Sequence, residues 1–212
     1  MKVGVIDYGV GNLGSVMRAL ELLRVAPLLI NRATDMRGAD CLILPGVGNF
    51  ADCVRMLESG HWIGALKEAV VGYNTPLLGV CVGMQLLADS STEGSDNDEP
   101  VAGLGFVPGQ VKHLGALGCH LRVPHAGWNA VTSGLSKDHL FHEIPPETDF
   151  YFVHSYAFEV QNTTDLIATT DYGITVTAAV RRGHVWGTQF HPEKSSKAGF
   201  KVLKNFIEGP PC

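Results

Sequence analysis

Leu77-Leu78-Gly79-Val80-Cys81-Val82-Gly83-Met84-Gln85-Leu86-Leu87 is the stretch from which the rest of the chain can be read. An apolar run from Pro76 to Val80 stops at a cysteine bracketed by glycines, and a helix-forming segment follows at once. This predicts a strand, a sharp turn and a helix, with Cys81 at the turn. The spacing Gly79-x-Cys81-x-Gly83 is the nucleophile-elbow pattern G-x-S-x-G with sulfur in place of oxygen. Glycines suit the two flanking positions because the turn is tight and a side chain there would crowd the nucleophile and its substrate. A thiol at a helix N-terminus also feels unpaired N–H groups and the positive end of the dipole, which lower a free-thiol pKa of about 8.5. A lone cysteine ending a core strand reads as structural. The glycine bracket turns that reading toward a nucleophile.

The surrounding sequence alternates in the manner of an α/β protein. Lys2 to Asp7 reads as a strand, followed by Tyr8-Gly9-Val10-Gly11-Asn12-Leu13-Gly14 and a helix to about Arg24 with Val16, Leu20 and Leu23 on one face. Strands are expected at Pro27 to Ile30 and Cys41 to Leu44, the latter running into a glycine-rich loop, Pro45-Gly46-Val47-Gly48-Asn49-Phe50. Helices over about 51–58 and 62–71 lead to the elbow strand. Such alternation predicts a three-layer fold with a central, mostly parallel sheet and helices on both faces. Ser90 to Pro100 is polar and acidic and reads as a solvated loop. Beyond it, apolar stretches at 104–107, 150–153, 166–169, 174–180 and 184–190 read as antiparallel strands extending the same sheet, and a helix over about 197–207 closes the fold. No repeat or linker divides residues 1–212, so a single domain is expected.

Composition narrows the function classes. The chain has 212 residues, 45% hydrophobic and 17% charged, with a net charge of -5, which describes an ordinary globular protein with a real core. Scattered Lys and Arg argue against a nucleic-acid surface, and no apolar run approaches the ~20 residues of a membrane span. No targeting peptide is evident at Met1-Lys2. Cys41, Cys53, Cys81, Cys119 and Cys212 form no C-x-x-C pair, as expected of a cytoplasmic protein.

Gly9-x-Gly11-x-x-Gly14 follows a strand and opens a helix, which is literally the dinucleotide-binding fingerprint. Its context fits poorly. Asp7 and Tyr8 intervene before the first glycine, and the second strand ends at Asn31-Arg32, where an acidic ribose ligand is wanted. The other reading is a tight strand-to-helix turn that presents backbone to a neighbour.

A cysteine nucleophile needs a base, and the base needs an orienting carboxylate. His191 and Glu193, in Gln189-Phe190-His191-Pro192-Glu193-Lys194, stand at the end of an apolar strand, with Pro192 stiffening the link between them. His154, in Tyr151-Phe152-Val153-His154-Ser155-Tyr156, ends another strand and competes as base; the residues alone do not choose between the two. His125 with Cys119 and His120, and His139 with His142, match no zinc pattern, so these read as loop histidines and no metal is expected. Acyl transfer also needs oxyanion donors, worth about 3 kcal/mol each. The Val82 N–H is one candidate, and the Gly46-Val47-Gly48 backbone supplies the other.

Six segments together resemble the class I (triad) glutamine amidotransferases, and within them the glutaminase subunits of imidazole glycerol phosphate synthase. They are Asp7 to Leu13, Pro45 to Phe50, the Cys81 elbow, Pro124-His125-Ala126-Gly127-Trp128-Asn129, Tyr151 to Tyr156, and Gln189 to Ser195. The resemblance implies a flavodoxin-like fold and attack of Cys81 on the side-chain amide of L-glutamine. It makes His191 the acid/base and Glu193 its orienter, with Gly48 and Val82 at the oxyanion and Gln85, His154 and Ser155 near the bound glutamine. It further implies a heterodimer with a cyclase barrel subunit that receives the ammonia, contacted through Asn12 and Lys194, and no cofactor. Ala126 stands where the family usually has methionine, and Gly14 where a larger, often basic residue is common. The competing readings are a glutaminase of another synthase, a nucleotide-dependent oxidoreductase and a non-catalytic regulatory subunit.

Overall fold

Four parallel strands carry the N-terminal half, and three of them are buried along their whole length. The computed structural model describes residues 1–96, 99–133 and 138–209; Asn97 and Asp98 of the acidic loop and residues 210–212, with Cys212, lie outside them. Strand β1 (Val3–Ile6) leads to helix α1 (Leu13–Leu22) and strand β2 (Pro27–Ile30); β3 (Cys41–Gly46) leads to helices α2 (Phe50–Ser59) and α3 (Trp62–Lys67), and β4 (Leu77–Cys81) follows. β1, β3 and β4 are buried at every position, which is why they read as continuous hydrophobic runs rather than alternations. α3 continues into a π-helical turn over Glu68–Gly72, so the expected helix over 62–71 changes its winding near its end.

The strand order explains the layers. The large sheet runs β2-β1-β3-β4, with β2, β1, β3 and β4 all parallel. From β1 the chain steps one way to β2 and afterwards the other way from β3 to β4. Right-handed crossovers in opposite directions put α1 on one face and α2 with α3 on the other. The C-terminal edge of these strands, at the reversal of strand order, is where open α/β sheets build their sites.

After the elbow the fold departs in detail from the sequence reading. The helix following Cys81 is a single turn, α4 (Val82–Gln85), because the backbone then turns away at Leu86 to Ala88. A four-residue helix offers free N–H groups but little macrodipole. The stretch 104–107 is not a strand. Leu104, Phe106 and Val107 instead donate their backbone N–H groups to the Leu86 and Leu87 carbonyls, burying Leu104 and Val107 against the end of that turn. Short strand β5 (Ser90–Ser91) takes the start of the expected solvated loop, β6 (Val101–Ala102) begins just after it, and β7 (Gly109–His113) follows.

Strands β8 (His125–Ser133), β9 (Thr148–His154), β10 (Tyr156–Val160), β11 (Leu166–Asp171), β12 (Thr175–Arg182) and β13 (Val185–Thr188) complete the sheets, and α5 (Ser196–Glu208) closes the chain. β13 pairs parallel to β4 on one side and antiparallel to β12 on the other. The antiparallel series β12-β11-β8-β9 extends the sheet to nine strands among the described residues; β12, β11 and β9 fall on the expected stretches at 174–180, 166–169 and 150–153, whereas the 184–190 stretch, β13, joins β4 in parallel. β10, β7, β5 and β6 form a second, four-stranded sheet that the sequence reading does not separate. The nine-residue β8 also has no counterpart in that reading, since its Gly127, Trp128 and Asn129 hide the alternation. No helix among the described residues is long and apolar enough to cross a membrane.

Candidate active site

Four adjacent strands of the large sheet, β1, β3, β4 and β13, deliver the parts of the site at one edge. β4 ends on Cys81, whose φ of 56° and ψ of -113° place a non-glycine residue in a strained turn. The glycines beside it answer to packing more than to substrate access. A Cβ on Gly83 would lie 1.8 Å from the Leu44 carbonyl oxygen, and one on Gly79 would lie 2.5 Å from the Gly83 carbonyl oxygen. Gly46, paired in register with Cys81, has Gly83 N at 2.6 Å from its own Cβ position. The elbow is a turn pressed onto β3, and only glycine fits the seam.

β13 runs on to His191, which is 2% exposed. Its backbone is held from both sides, the N–H donating to the Tyr151 carbonyl at 2.9 Å and the carbonyl accepting from Ser195 Oγ at 2.6 Å. Pro192 opens a single 3-10 turn through Lys194, and that turn brings Glu193 back beneath the ring it follows by two residues. Glu193 Oε1 lies 2.9 Å from His191 Nδ1. Cys81 lines the same cleft and lies close enough to this ring to influence its charge. Burial works against a charged ring, but the hydrogen bonds and negative charge of Cys81 and Glu193 outweigh it and raise the His191 pKa to about 9. A charged His191 ring therefore suits this geometry over the neutral range.

His154, the competing base, has both ring nitrogens engaged in protein. Nδ1 faces the Tyr156 carbonyl at 2.8 Å, and Nε2 faces His125 Nδ1 at 3.0 Å. The carbonyl can only accept, so His154 carries its proton on Nδ1 and accepts from His125. Burial pushes the His154 pKa down to about 3, against a smaller opposing effect of the Tyr156 carbonyl, and pushes His125 down to about 4. Neither is placed to take a proton from Cys81. His125 reaches Asn129 with its second nitrogen at 3.3 Å and stacks between Phe152 and Tyr172.

These opposite shifts set a pH dependence of stability. His125 and His154 hold folded-state values below the ordinary 6.5, so the stability they contribute is present above pH 6.5 and is lost as the pH falls toward 4. His191 has the reverse sign: its contribution is present below 6.5 and is lost as the pH rises through about 9. Urea unfolding across this range is expected to show greatest stability near pH 6.5, and His191→Asn should flatten the alkaline side alone. An unchanged alkaline side in that variant would remove His191 as its cause.

A cleft of about 380 Å³ opens over Cys81. Its lining includes Gly48, Val82, Gln85, His154, Ser155, His191 and Lys194, so it gathers most of the residues singled out in the sequence. Gln85 is buried, and its Nε2 donates to the Tyr156 carbonyl at 2.9 Å and to Gln189 Oε1 at 3.0 Å. Only its carbonyl oxygen remains for a ligand. Val47 accepts from the Cys53 thiol at 3.5 Å; because a peptide's C=O and N–H point opposite ways, the Gly48 N–H is directed away from Cys53. Gly48 itself has a φ of 97° and open space around it, so its glycine answers to backbone conformation.

Asn12 and Lys194 behave differently from the rest. Asn12 Nδ2 donates to Glu193 Oε1 at 3.2 Å. Lys194 Nζ sits 5.9 Å from the Tyr151 ring centroid. The Gly9–Gly14 fingerprint has no structural counterpart: Gly14 lies inside α1 with nothing within 4 Å of a Cβ, so no close approach requires glycine there.

Two residues escape the sequence reading. Glu93, half-buried in what reads as a solvated acidic loop, lines the cleft, and its Oε2 accepts the Phe50 N–H at 3.0 Å. Burial raises its pKa, with the Phe50 N–H opposing. Gln189, fully buried, points Nε2 at Cys81 Sγ over 3.9 Å. Neither carries a spacing signal; each is brought in by tertiary pairing.

Comparison with known proteins agrees with this geometry. The family model described as "Glutamine amidotransferase class-I" matches residues 4–209. The imidazole glycerol phosphate synthase subunit HisH of Moorella thermoacetica is 44% identical over 206 residues, covering 97% of this chain and 94% of that protein. The HisH subunit of Acinetobacter baylyi is 39% identical, covering 98% of each. Among solved structures, PurLQS from Thermotoga maritima shares the fold at a TM-score of 0.75 and 14% identity, covering 97% of each chain. With a family model spanning nearly the whole chain and relatives at this identity over their full length, the chain belongs to the class-I glutamine amidotransferases, within the family of HisH subunits of imidazole glycerol phosphate synthase.

Proposed function

We propose that Cys81, His191 and Glu193 are the triad with which this glutaminase subunit of imidazole glycerol phosphate synthase works. The observation that carries the assignment is the 2.9 Å contact of His191 Nδ1 with Glu193, on a ring that lines the same cleft as Cys81. The Cys81 thiolate attacks the side-chain carbonyl carbon of L-glutamine, and the negative charge moves to the carbonyl oxygen, where the Val82 and Gly48 N–H groups stabilise it. As the intermediate collapses, the C–N bond breaks and His191 gives its proton to the departing nitrogen, releasing ammonia. Water, deprotonated by His191, then attacks the thioester; the C–S bond breaks and glutamate leaves. The Glu93 carboxylate, beside the cleft, suits the α-ammonium of the substrate, while Gln85, His154 and Ser155 shape the pocket around its chain.

The partner is the cyclase barrel subunit, docked over the cleft mouth so that ammonia passes into it without meeting solvent. Support comes from exposed apolar side chains lining the cleft, Val47 and Val153, each 38% exposed, with Trp128 of β8, 53% exposed, packed against Tyr151. Ala126, opposite Val153 in the β8–β9 register, contributes less apolar surface there than the methionine usual in the family. Lys194 belongs to the same face. We read residues 1–212 as one amidotransferase domain acting in the cytoplasm, in keeping with the free thiols of Cys41, Cys53, Cys81 and Cys119.

The test is glutamate release from glutamine by the chain alone, then with the cyclase and its ribonucleotide ligand, and with Cys81→Ala throughout. Strong activation by the loaded partner that vanishes in Cys81→Ala is expected. Equal turnover with and without the partner would sink the coupling, and activity surviving in Cys81→Ala would sink the triad.

A further inference from the structure

Asn12 occupies the N-cap position of α1, where an asparagine side chain ordinarily accepts a hydrogen bond from the free N–H groups of the first turn. Here it makes no capping bond. Its amide is turned instead onto Glu193 Oε1 at 3.2 Å, the oxygen that also faces His191 Nδ1 at 2.9 Å. The Glu193 side chain is only 1% exposed, and Oε2 has no hydrogen-bond partner among the described residues. Both donors given to this buried carboxylate therefore converge on one oxygen, from segments 181 residues apart.

A carboxylate held by one imidazole N–H is free to swing about that contact. A second donor from a different segment removes the freedom. The segment carrying Asn12 is itself anchored. Gly11, at a φ of 133°, is seated so closely on Pro45 that a Cβ would lie 3.1 Å from its Cγ. Glycine is needed there for both conformation and space. The same loop thus abuts the strand leading to Gly46–Gly48 and reaches the triad.

We propose that Asn12 is a positioning residue of the triad: its amide N–H fixes Glu193 Oε1 and, through it, the plane of the His191 ring against Cys81. This rests on the triad assignment above and adds an inward-facing role to a residue whose resemblance alone points outward to a partner.

The test uses the isolated full chain, so that partner docking plays no part. Cys81 alkylation by iodoacetamide is followed against pH, with kcat and KM for glutamine, in Asn12→Ala and Asn12→Asp. Loss of a donor to a charged group is expected to lower kcat about tenfold in Asn12→Ala, with KM little changed. Asn12→Asp keeps the shape but sets a second carboxylate beside Oε1; like charges raise proton affinity, so the acid limb of the alkylation profile should move up by about one pH unit. Parent-like kcat and profiles in both variants would overturn the proposal, as would equal losses in both with an unmoved profile, which denote packing alone. His191→Asn serves as reference. If it too leaves the profile unmoved, the triad assignment fails; if it moves the profile and the Asn12 variants do not, only the role of Asn12 fails.

Discussion

Glu193→Gln is expected to lower glutamine turnover by about a thousand- to ten-thousand-fold while the protein stays folded, by analogy with removal of the carboxylate from other nucleophile–histidine pairs. The 3-10 turn from Pro192 would still place an amide beside His191 Nδ1, so shape is conserved and charge is lost. The physical consequence falls on the ring. Glu193 is one of two groups that raise His191 to about 9, and without it the imidazolium persists over a narrower range. The basic limb of kcat/KM should therefore move to lower pH. An amide in place of the carboxylate can also present its N–H to Nδ1 and select the wrong tautomer. Glutamate release measured across pH decides the matter: a loss below about tenfold would mean that the backbone clamps on His191 orient it without help.

The second large effect is on folding. Gly83→Ala would drive a methyl group to within 1.8 Å of the Leu44 carbonyl oxygen, a backbone atom that cannot swing aside. No rotamer relieves this, so the elbow must separate from β3 or β4 must shift within the buried sheet. A cost above about 4 kcal/mol is expected, enough to leave the chain largely unfolded or insoluble. Gly48→Ala provides the contrast, because space is open there and only the positive φ is strained; it should fold with a penalty of about 1–2 kcal/mol. Denaturant midpoints of the two variants against the parent test this. A Gly83→Ala midpoint equal to the parent's would show that the seam at the elbow is loose.

The elbow, the parallel half of the sheet and the last helix are legible because short-range pattern determines them. Buried parallel strands are continuous apolar runs, and Gly79-x-Cys81-x-Gly83 marks its turn without outside help. Choosing His191 over His154 is not possible from the residues, since both end strands; the difference lies in the partners of the second ring nitrogen, Glu193 in one and His125 in the other. The resemblance points to His191 first, and the hydrogen bonds supply the physical reason. Glu93 stays hidden because an acidic loop reads as solvated until Phe50 is seen to donate to it. The second sheet stays hidden for a similar reason. β5 and β6 have two residues each, too few for any period, and are strands only because β7 lies beside them.

The pairing of β4 with β13 joins Leu77 to Val185, so Cys81 and His191, just beyond the ends of these strands, are brought together across more than a hundred residues of intervening chain. Contacts of that sequence separation close late and slowly. During synthesis at roughly 5–20 residues per second, Cys81 leaves the ribosome several seconds before His191 exists. A nascent or truncated chain that lacks β13 thus carries Cys81 without His191 beside it, and on the proposed triad it would hold a thiol with no partner to take its proton.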